Sequence, residues 1–212
     1  MTDELNNRPN GKTKKNEDNG NNPGAGNSTD SGENYRERLR LLMQERAFKT
    51  GNFTLASGKS SPYYFNSKVV ILSAEGAFLV AKAFLEKIKP LTLDAVGGAA
   101  MGAVPLAGSL APLCYQAGMG HINFFVDRKQ AKQHGDSQRI EGPALPGGAR
   151  VAVIEDVVTT GGSAMSTALH LRELGCQVVK VIPLLDRKEG AAELFAAENM
   201  ELDPIFTIED ML

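Results

Sequence analysis

The chain has 212 residues, room for one domain of ordinary size with at most a small subdomain. Apolar residues make up 42% and charged residues 23%, enough for a packed core, and 23 Lys+Arg against 25 Asp+Glu argue against a protein that holds nucleic acid by broad charge neutralisation. Cys114 and Cys176 stand far apart without a CxxC, and no apolar run approaches the ~20 residues of a membrane span, so disulfide scaffold, structural zinc and membrane anchor lack support and a reducing cytoplasm fits.

Residues 1–34 differ from the rest. Nine are Asn and five are Gly, and only Met1, Leu5 and Ala25 are apolar. Such a segment cannot bury enough surface to offset roughly 1–2 kcal/mol per residue of backbone ordering, which predicts a disordered tail. It has neither the apolar core of a signal peptide nor the Arg-rich pattern of a transit peptide. Four basic and six acidic residues fall in it, so the remainder is charge-balanced and any charged site there is local.

From Tyr35 the pattern becomes regular. Leu39, Leu42, Met43 and Phe48 at near-helical spacing predict a first amphipathic helix. A polar, glycine-bearing stretch over 50–68 separates it from a second helix over about 74–89. Strands and helices then alternate: strands over 94–98 and 122–126 with a helix over 102–116 between them, a strand over 151–155, a helix over 163–174, a strand over 178–183, a short helix over 191–198 and a last strand over 205–208. This alternation predicts an α/β domain whose central, mostly parallel sheet is flanked by helices on both faces. The rhythm breaks over 127–148, a long polar segment of the kind that is usually functional in a compact domain.

The strongest chemical signal runs from Val151 to Ala164: an apolar strand, the adjacent carboxylates Glu155 and Asp156, then Val157, Val158, Thr159, Thr160, Gly161, Gly162 and Ser163 leading into a helix. In open α/β sheets ligands sit at the carboxyl ends of strands. The turn offers backbone N–H groups, hydroxyls and the positive end of a helix, which together cradle an anion, and glycine lets the backbone approach it. Two acids beside such a cradle suit a ligand with a phosphate at one end and a sugar diol at the other, because carboxylates accept hydrogen bonds from vicinal hydroxyls. The stretch is neither a Walker A loop nor GxGxxG. A capped helix with merely solvated acids is the plainer alternative.

Three further segments stand out. Asp127–Gly135 places Arg128, Lys129, Lys132 and His134 on the long polar segment, either a solvated charged loop or a set of cations able to stabilise the charge of a leaving pyrophosphate. Phe53–Asn66 is turn-rich with an aromatic cluster that includes Tyr64 and Phe65, and reads equally as a surface hairpin packed by its own aromatics. Leu184-Leu185-Asp186-Arg187 ends a strand with a guanidinium suited to a planar carboxylate, unless Asp186 and Arg187 form only a local ion pair. Cys114 and Cys176 lie in apolar patterns and read as small core residues. His121 and His170 read as structural or exposed, and no His/Cys/Asp cluster has metal-ligand spacing.

The Val151–Ala164 stretch resembles the phosphoribosyl pyrophosphate signature of type I phosphoribosyltransferases. The Arg-Lys-x-x-Lys-x-His-Gly pattern from Arg128 resembles the flexible loop of orotate phosphoribosyltransferases, and Phe53–Asn66 resembles the segment that forms a hood over the base in that family. Two positions depart from it: Ala56 and Met101 stand where many members have Lys.

The resemblance covers about Tyr35 to the C-terminus. It implies a type I phosphoribosyltransferase fold, with a small hood from about 35–68 plus the C-terminal tail. It implies transfer of a 5-phosphoribosyl group from 5-phosphoribosyl 1-pyrophosphate to orotate, a step of pyrimidine biosynthesis. Catalysis would fall to Lys132, Asp156 and Glu155. The sugar-phosphate donor would contact Arg128, Lys129, Lys132, His134, Glu155, Asp156, Val157, Val158, Thr159, Thr160, Gly161, Gly162 and Ser163. Orotate would contact Tyr64, Phe65, Thr159 and Arg187. Mg²⁺ would arrive with the substrate, as a hard cation that keeps several waters. The family's loop reaches into a neighbour's site, which implies a homodimer; nucleic acid and membrane partners are not expected. Two other readings remain: a phosphoribosyltransferase for another base, against which the hood and Arg187 argue, and a non-catalytic regulator, which would need a basic DNA-binding module that the acidic residues 1–34 do not resemble.

Overall fold

Within the run Arg150–Val158 the stretch Val151–Ile154 is apolar at every position, as expected of a strand covered on both faces rather than one. In the computed structural model, which describes residues 32–54, 60–128 and 139–212, it lies near the middle of a six-stranded sheet. The described residues begin with helix α1 (Gly32–Arg46), an antiparallel hairpin β1 (Phe48–Thr54) and β2 (Ser60–Phe65), the single-turn helix α2 (Lys68–Ile71) and helix α3 (Ala74–Ile88). The α/β succession follows: β3 (Ala95–Ala99), α4 (Ala103–Gln116), β4 (Asn123–Asp127), β5 (Ile140–Glu141), β6 (Arg150–Val158), α5 (Gly162–Glu173), β7 (Gln177–Asp186), α6 (Ala191–Ala197) and β8 (Phe206–Thr207), closed by a 3-10 turn over Ile208–Asp210.

The sheet order is β5-β4-β3-β6-β7-β8, parallel throughout except for β5, which pairs antiparallel with β4. The chain passes from β3 outward to β4, then returns to the other side of β3 as β6. The connections leaving β3 and β6 therefore diverge and open a crevice at their carboxyl ends, the switch point where open α/β sheets bind ligands.

Two apolar clusters cover the sheet. One joins Leu39, Leu42 and Met43 of α1 and Val80, Phe84 and Ile88 of α3, all fully buried, to Ala152 and Ile154 of β6. The other packs Ala168 and Leu171 of α5 and Phe195 of α6 on Val151 and Val153. Up to Ile154 the strand thus alternates faces as a pleated strand must. Beyond the two acids the sense is shifted by one residue, since Val157 packs with the first cluster and Val158 with the second.

The expected α/β succession is present, with differences at particular elements. Phe48 does not belong to α1: the helix ends at Arg46, and Phe48 opens β1, stacking on Tyr63 across the hairpin at 5.7 Å. The polar, turn-rich stretch, for which a hairpin packed by its own aromatics was one reading, is that hairpin, with Phe53 against Tyr64 at 5.6 Å on its other face. β6 runs three residues past its expected end, through both carboxylates. Asp127 is not a loop residue but the buried end of β4, where its carboxylate accepts two bonds from Arg139 at 2.7 and 2.6 Å and one from Thr167 Oγ1 at 2.6 Å. The last strand, β8, joins the edge of the main sheet beside β7. The residues after it return to α1, where Gln44 donates to the Met211 carbonyl at 3.2 Å and Arg40 to that of Asp210 at 3.4 Å. The tail expected over 1–34 falls almost wholly outside the described residues.

Candidate active site at the switch point

Glu155 and Asp156 lie in the second half of β6 and are themselves buried. In a regular strand their side chains would leave on opposite faces. Here they converge: a Cβ built on Gly102, at the start of α4, would lie 2.4 Å from Glu155 Oε1 and 2.5 Å from Asp156 Oδ1. Gly102 is thus a position where only hydrogen fits, and it brings the positive end of a 14-residue helix against both carboxylates. Asp156 Oδ1 also accepts the Val157 N–H at 3.0 Å, and its Oδ2 accepts Ser67 Oγ at 2.6 Å and Lys68 Nζ at 3.3 Å. Glu155 curls back to accept the Asp156 N–H at 3.3 Å. Burial alone would raise the pKa of Asp156. The hydrogen bonds from Ser67 and with Glu155, and the Lys68 charge, outweigh burial and hold it below the ordinary carboxylate value.

The turn that follows forms a concave cavity of about 160 Å³ lined by Glu155 and Val157–Ala164. Gly161 makes its shape. At φ +83° it occupies the left-handed region, and a Cβ there would lie 3.0 Å from the Phe195 ring and 3.2 Å from Ala191. Nothing lies within 4 Å of a Cβ built on Gly162, so that backbone faces open space. The Val158 side chain is in the core and its carbonyl accepts the Arg187 N–H at 3.0 Å, leaving Thr159, Thr160 and Ser163 as the hydroxyls around the cavity. A second cavity, of about 380 Å³, shares Gly162 and Ser163 and is bounded by Ala99, Asp127, Arg139, Ser166 and Thr167.

Arg187, just past the end of β7, meets the hairpin. Its guanidinium lies 4.9 Å from the Tyr63 ring centroid, its Nε donates to Tyr63 Oη at 3.3 Å, and its Nη2 pairs with Glu189 at 2.9 Å. The local partner weighed from the sequence, Asp186, is instead buried and accepts the Lys188 N–H at 2.8 Å. Tyr64 is exposed and Phe65 half-buried. Arg128 carries an exposed ion pair to Glu141 at 2.7 Å. Lys129, Lys132 and His134, like Ala56, lie outside the described residues.

Four participants were missed in the sequence: Tyr63, Ser67, Lys68 and Gly102. Ser67 stands where a helix cap would, a position that signals α2 but not the carboxylate 89 residues away to which its hydroxyl donates. Cys114 and Cys176 are core residues, as expected, and burial pushes the Cys114 thiol up to about 11. Among the described residues no three His, Cys, Asp or Glu group as a metal site, and no helix is long and apolar enough to cross a membrane.

Residues 71–198 match the phosphoribosyl transferase domain family. The chain is 45% identical over 176 residues to the orotate phosphoribosyltransferase of Thermosynechococcus vestitus, covering 83% of this chain and 92% of that protein. It is 43% identical to that of Bradyrhizobium diazoefficiens, covering 84% and 96%. Among solved structures, the Mycobacterium tuberculosis orotate phosphoribosyltransferase in complex with 5-phospho-α-D-ribosyl 1-diphosphate superposes with a TM-score of 0.67 at 28% identity, covering 84% of this chain and 98% of that one.

Proposed function

This chain belongs to the orotate phosphoribosyltransferases, and on that premise we propose how its residues divide the transfer of a 5-phosphoribosyl group from 5-phosphoribosyl 1-pyrophosphate to orotate. The observation that carries the division is the junction, at the switch point of the sheet, of two converging carboxylates with a cavity walled by Thr159–Ser163. Thr159, Thr160, Gly161, Gly162 and Ser163, with the backbone of Val157 and Val158, hold the 5′-phosphate at the start of α5. Glu155 and Asp156 bind the ribose hydroxyls. As the C1–O bond breaks with its electron pair leaving on pyrophosphate, they stabilise the positive charge on the sugar. An orotate ring nitrogen, losing its proton, closes the new C1–N bond.

Orotate lies between the Tyr64–Phe65 backbone, Thr159 and Arg187, whose guanidinium faces the orotate carboxylate. The meeting of Arg187 with Tyr63 supports this, because it brings the hairpin against the end of β7. Arg128, Lys129, Lys132 and His134 close on the pyrophosphate, a role that rests on the family resemblance. Among the described residues no cage for a resident metal is present, and two adjacent hard carboxylates beside a diphosphate suit Mg²⁺ carried mainly by substrate oxygens and water. When bound, Mg²⁺ supplies charge neutralisation of the pyrophosphate. We take the working unit as a cytoplasmic homodimer of 35–212 domains, each preceded by the 1–34 tail.

Asp156→Asn tests the division. It is expected to bind phosphoribosyl pyrophosphate within about tenfold of the parent while kcat with orotate falls about 100- to 1000-fold, the range for losing one group aimed at transition-state charge. Turnover equal to the parent's would remove Asp156 from the mechanism.

A further inference from the structure

The Asp156 carboxylate is held from a part of the chain that the family's sequence signature does not include. Ser67 Oγ reaches its Oδ2 at 2.6 Å, and both residues are buried. A serine ahead of a helix ordinarily caps that helix with its hydroxyl. Ser67 makes no such cap bond to α2, and its hydroxyl goes to the sheet instead. The segment carrying it is anchored on both sides: the Asn66 N–H donates to the Ala47 carbonyl at 3.0 Å, and Asn66 Oδ1 accepts the Lys68 N–H at 3.2 Å. Lys68 Nζ approaches the same carboxylate oxygen, at 3.3 Å and with a side chain more than half exposed. Exposed pairs of that kind contribute little, whereas a short buried bond to a charged acceptor contributes several-fold more. The buried hydroxyl therefore decides where the carboxylate points.

We propose that Ser67 is a positioning residue for the phosphoribosyl transfer: its hydroxyl fixes the Asp156 carboxylate in one orientation toward the ribose, and does so from the same peptide segment that carries Tyr64 and Phe65. The inference rests on the reading of Asp156 as a ribose-facing group. With Oδ2 committed to Ser67, Oδ1, which accepts the Val157 N–H and lies beside Gly102, offers its second lone pair to the sugar. A carboxylate already oriented needs no rearrangement when positive charge develops, which is where preorganised groups accelerate a reaction. Because Ser67 follows Phe65 by two residues, base pocket and ribose pocket are placed by one rigid segment.

The test compares Ser67→Ala, the shape-matched pair Ser67→Thr and Ser67→Val, Lys68→Met and Asp156→Asn in the full chain, with kcat and both KM values measured beside thermal unfolding. Ser67→Ala is expected to lower kcat about 10- to 100-fold, the worth of a hydrogen bond to a charged group, with both KM values within about threefold. Ser67→Val should share that loss and Ser67→Thr recover most of it, and this pair decides the matter if the alanine variant fails to fold. Lys68→Met should cost less than about threefold. If Ser67→Ala keeps parental kcat while Asp156→Asn loses turnover, the inference falls and the site reading stands; Thr and Val variants equal in kcat would sink it in the same way. If Asp156→Asn itself keeps parental turnover, the site reading falls and takes the inference with it.

Discussion

The turns that follow β3 and β6 occupy equivalent places, each at the carboxyl end of a central parallel strand and each opening a helix, yet they are built from opposite materials. Near the end of β6 stand two acids, and after it come two threonines and a left-handed glycine around a cavity. After β3 come Ala100, Met101 and Gly102, with the Met101 side chain 72% exposed and no functional group pointed at the site. The first turn acts through side chains and the second through what it leaves out, since the missing Cβ of Gly102 admits both carboxylates to the start of α4. A site can therefore depend as much on an absent atom as on a charged one, and the two dependencies should fail differently.

The largest expected effect belongs to the silent turn. Gly102→Ala places a methyl within 2.5 Å of Glu155 Oε1 and Asp156 Oδ1. Both carboxylates must turn away, so kcat with orotate should fall by about 100-fold or more, the scale of losing a preorganised charged group, while circular dichroism stays that of the parent. Retained turnover would mean that the convergence on Gly102 has no part in the chemistry. Arg187→Met comes next. Losing one guanidinium–carboxylate contact should raise KM for orotate about 10- to 100-fold and leave affinity for phosphoribosyl pyrophosphate within about twofold, measured by titrating each substrate.

A smaller effect concerns acid. The folded pKa of Asp156 lies below its unfolded value, so its contribution to stability is complete above the ordinary carboxylate range and is lost as pH falls through the folded value. The difference in unfolding free energy between the parent and Asp156→Asn should therefore be largest near neutrality and shrink below about pH 4. A difference that grows on acidification would reverse the assigned sign. The smallest effect is at Cys114. With its thiol pushed up to about 11 by burial, it should resist alkylation near neutral pH in the folded protein, and Cys114→Ala should keep parental turnover.

The same contrast explains what could be read in the sequence. The β6–turn–α5 unit was legible because its function is written in residue types: consecutive acids, hydroxyls and glycines after an apolar run. The helices and most strands were legible from periodicity. The antiparallel pairing of Ile140–Glu141 with β4 was not, because a two-residue strand exists only through its partner. β6 was cut short at Glu155 because acids ordinarily end a buried strand, whereas here the start of α4 and the Ser67 hydroxyl make their burial tolerable. Phe48 fitted a helical spacing and was taken over by stacking on Tyr63. Ser67 carried no chemical signature at all, since it matters only through a contact across 89 residues of chain.

The most direct measurement is the change in orotate absorbance on adding phosphoribosyl pyrophosphate and Mg²⁺ to the parent protein, run beside uracil, adenine and hypoxanthine. Consumption of orotate and of none of the other bases is the predicted result. Consumption of another base in place of orotate would contradict the pairing of the hairpin with Arg187 as an orotate pocket, and consumption of no base would contradict the account at its centre.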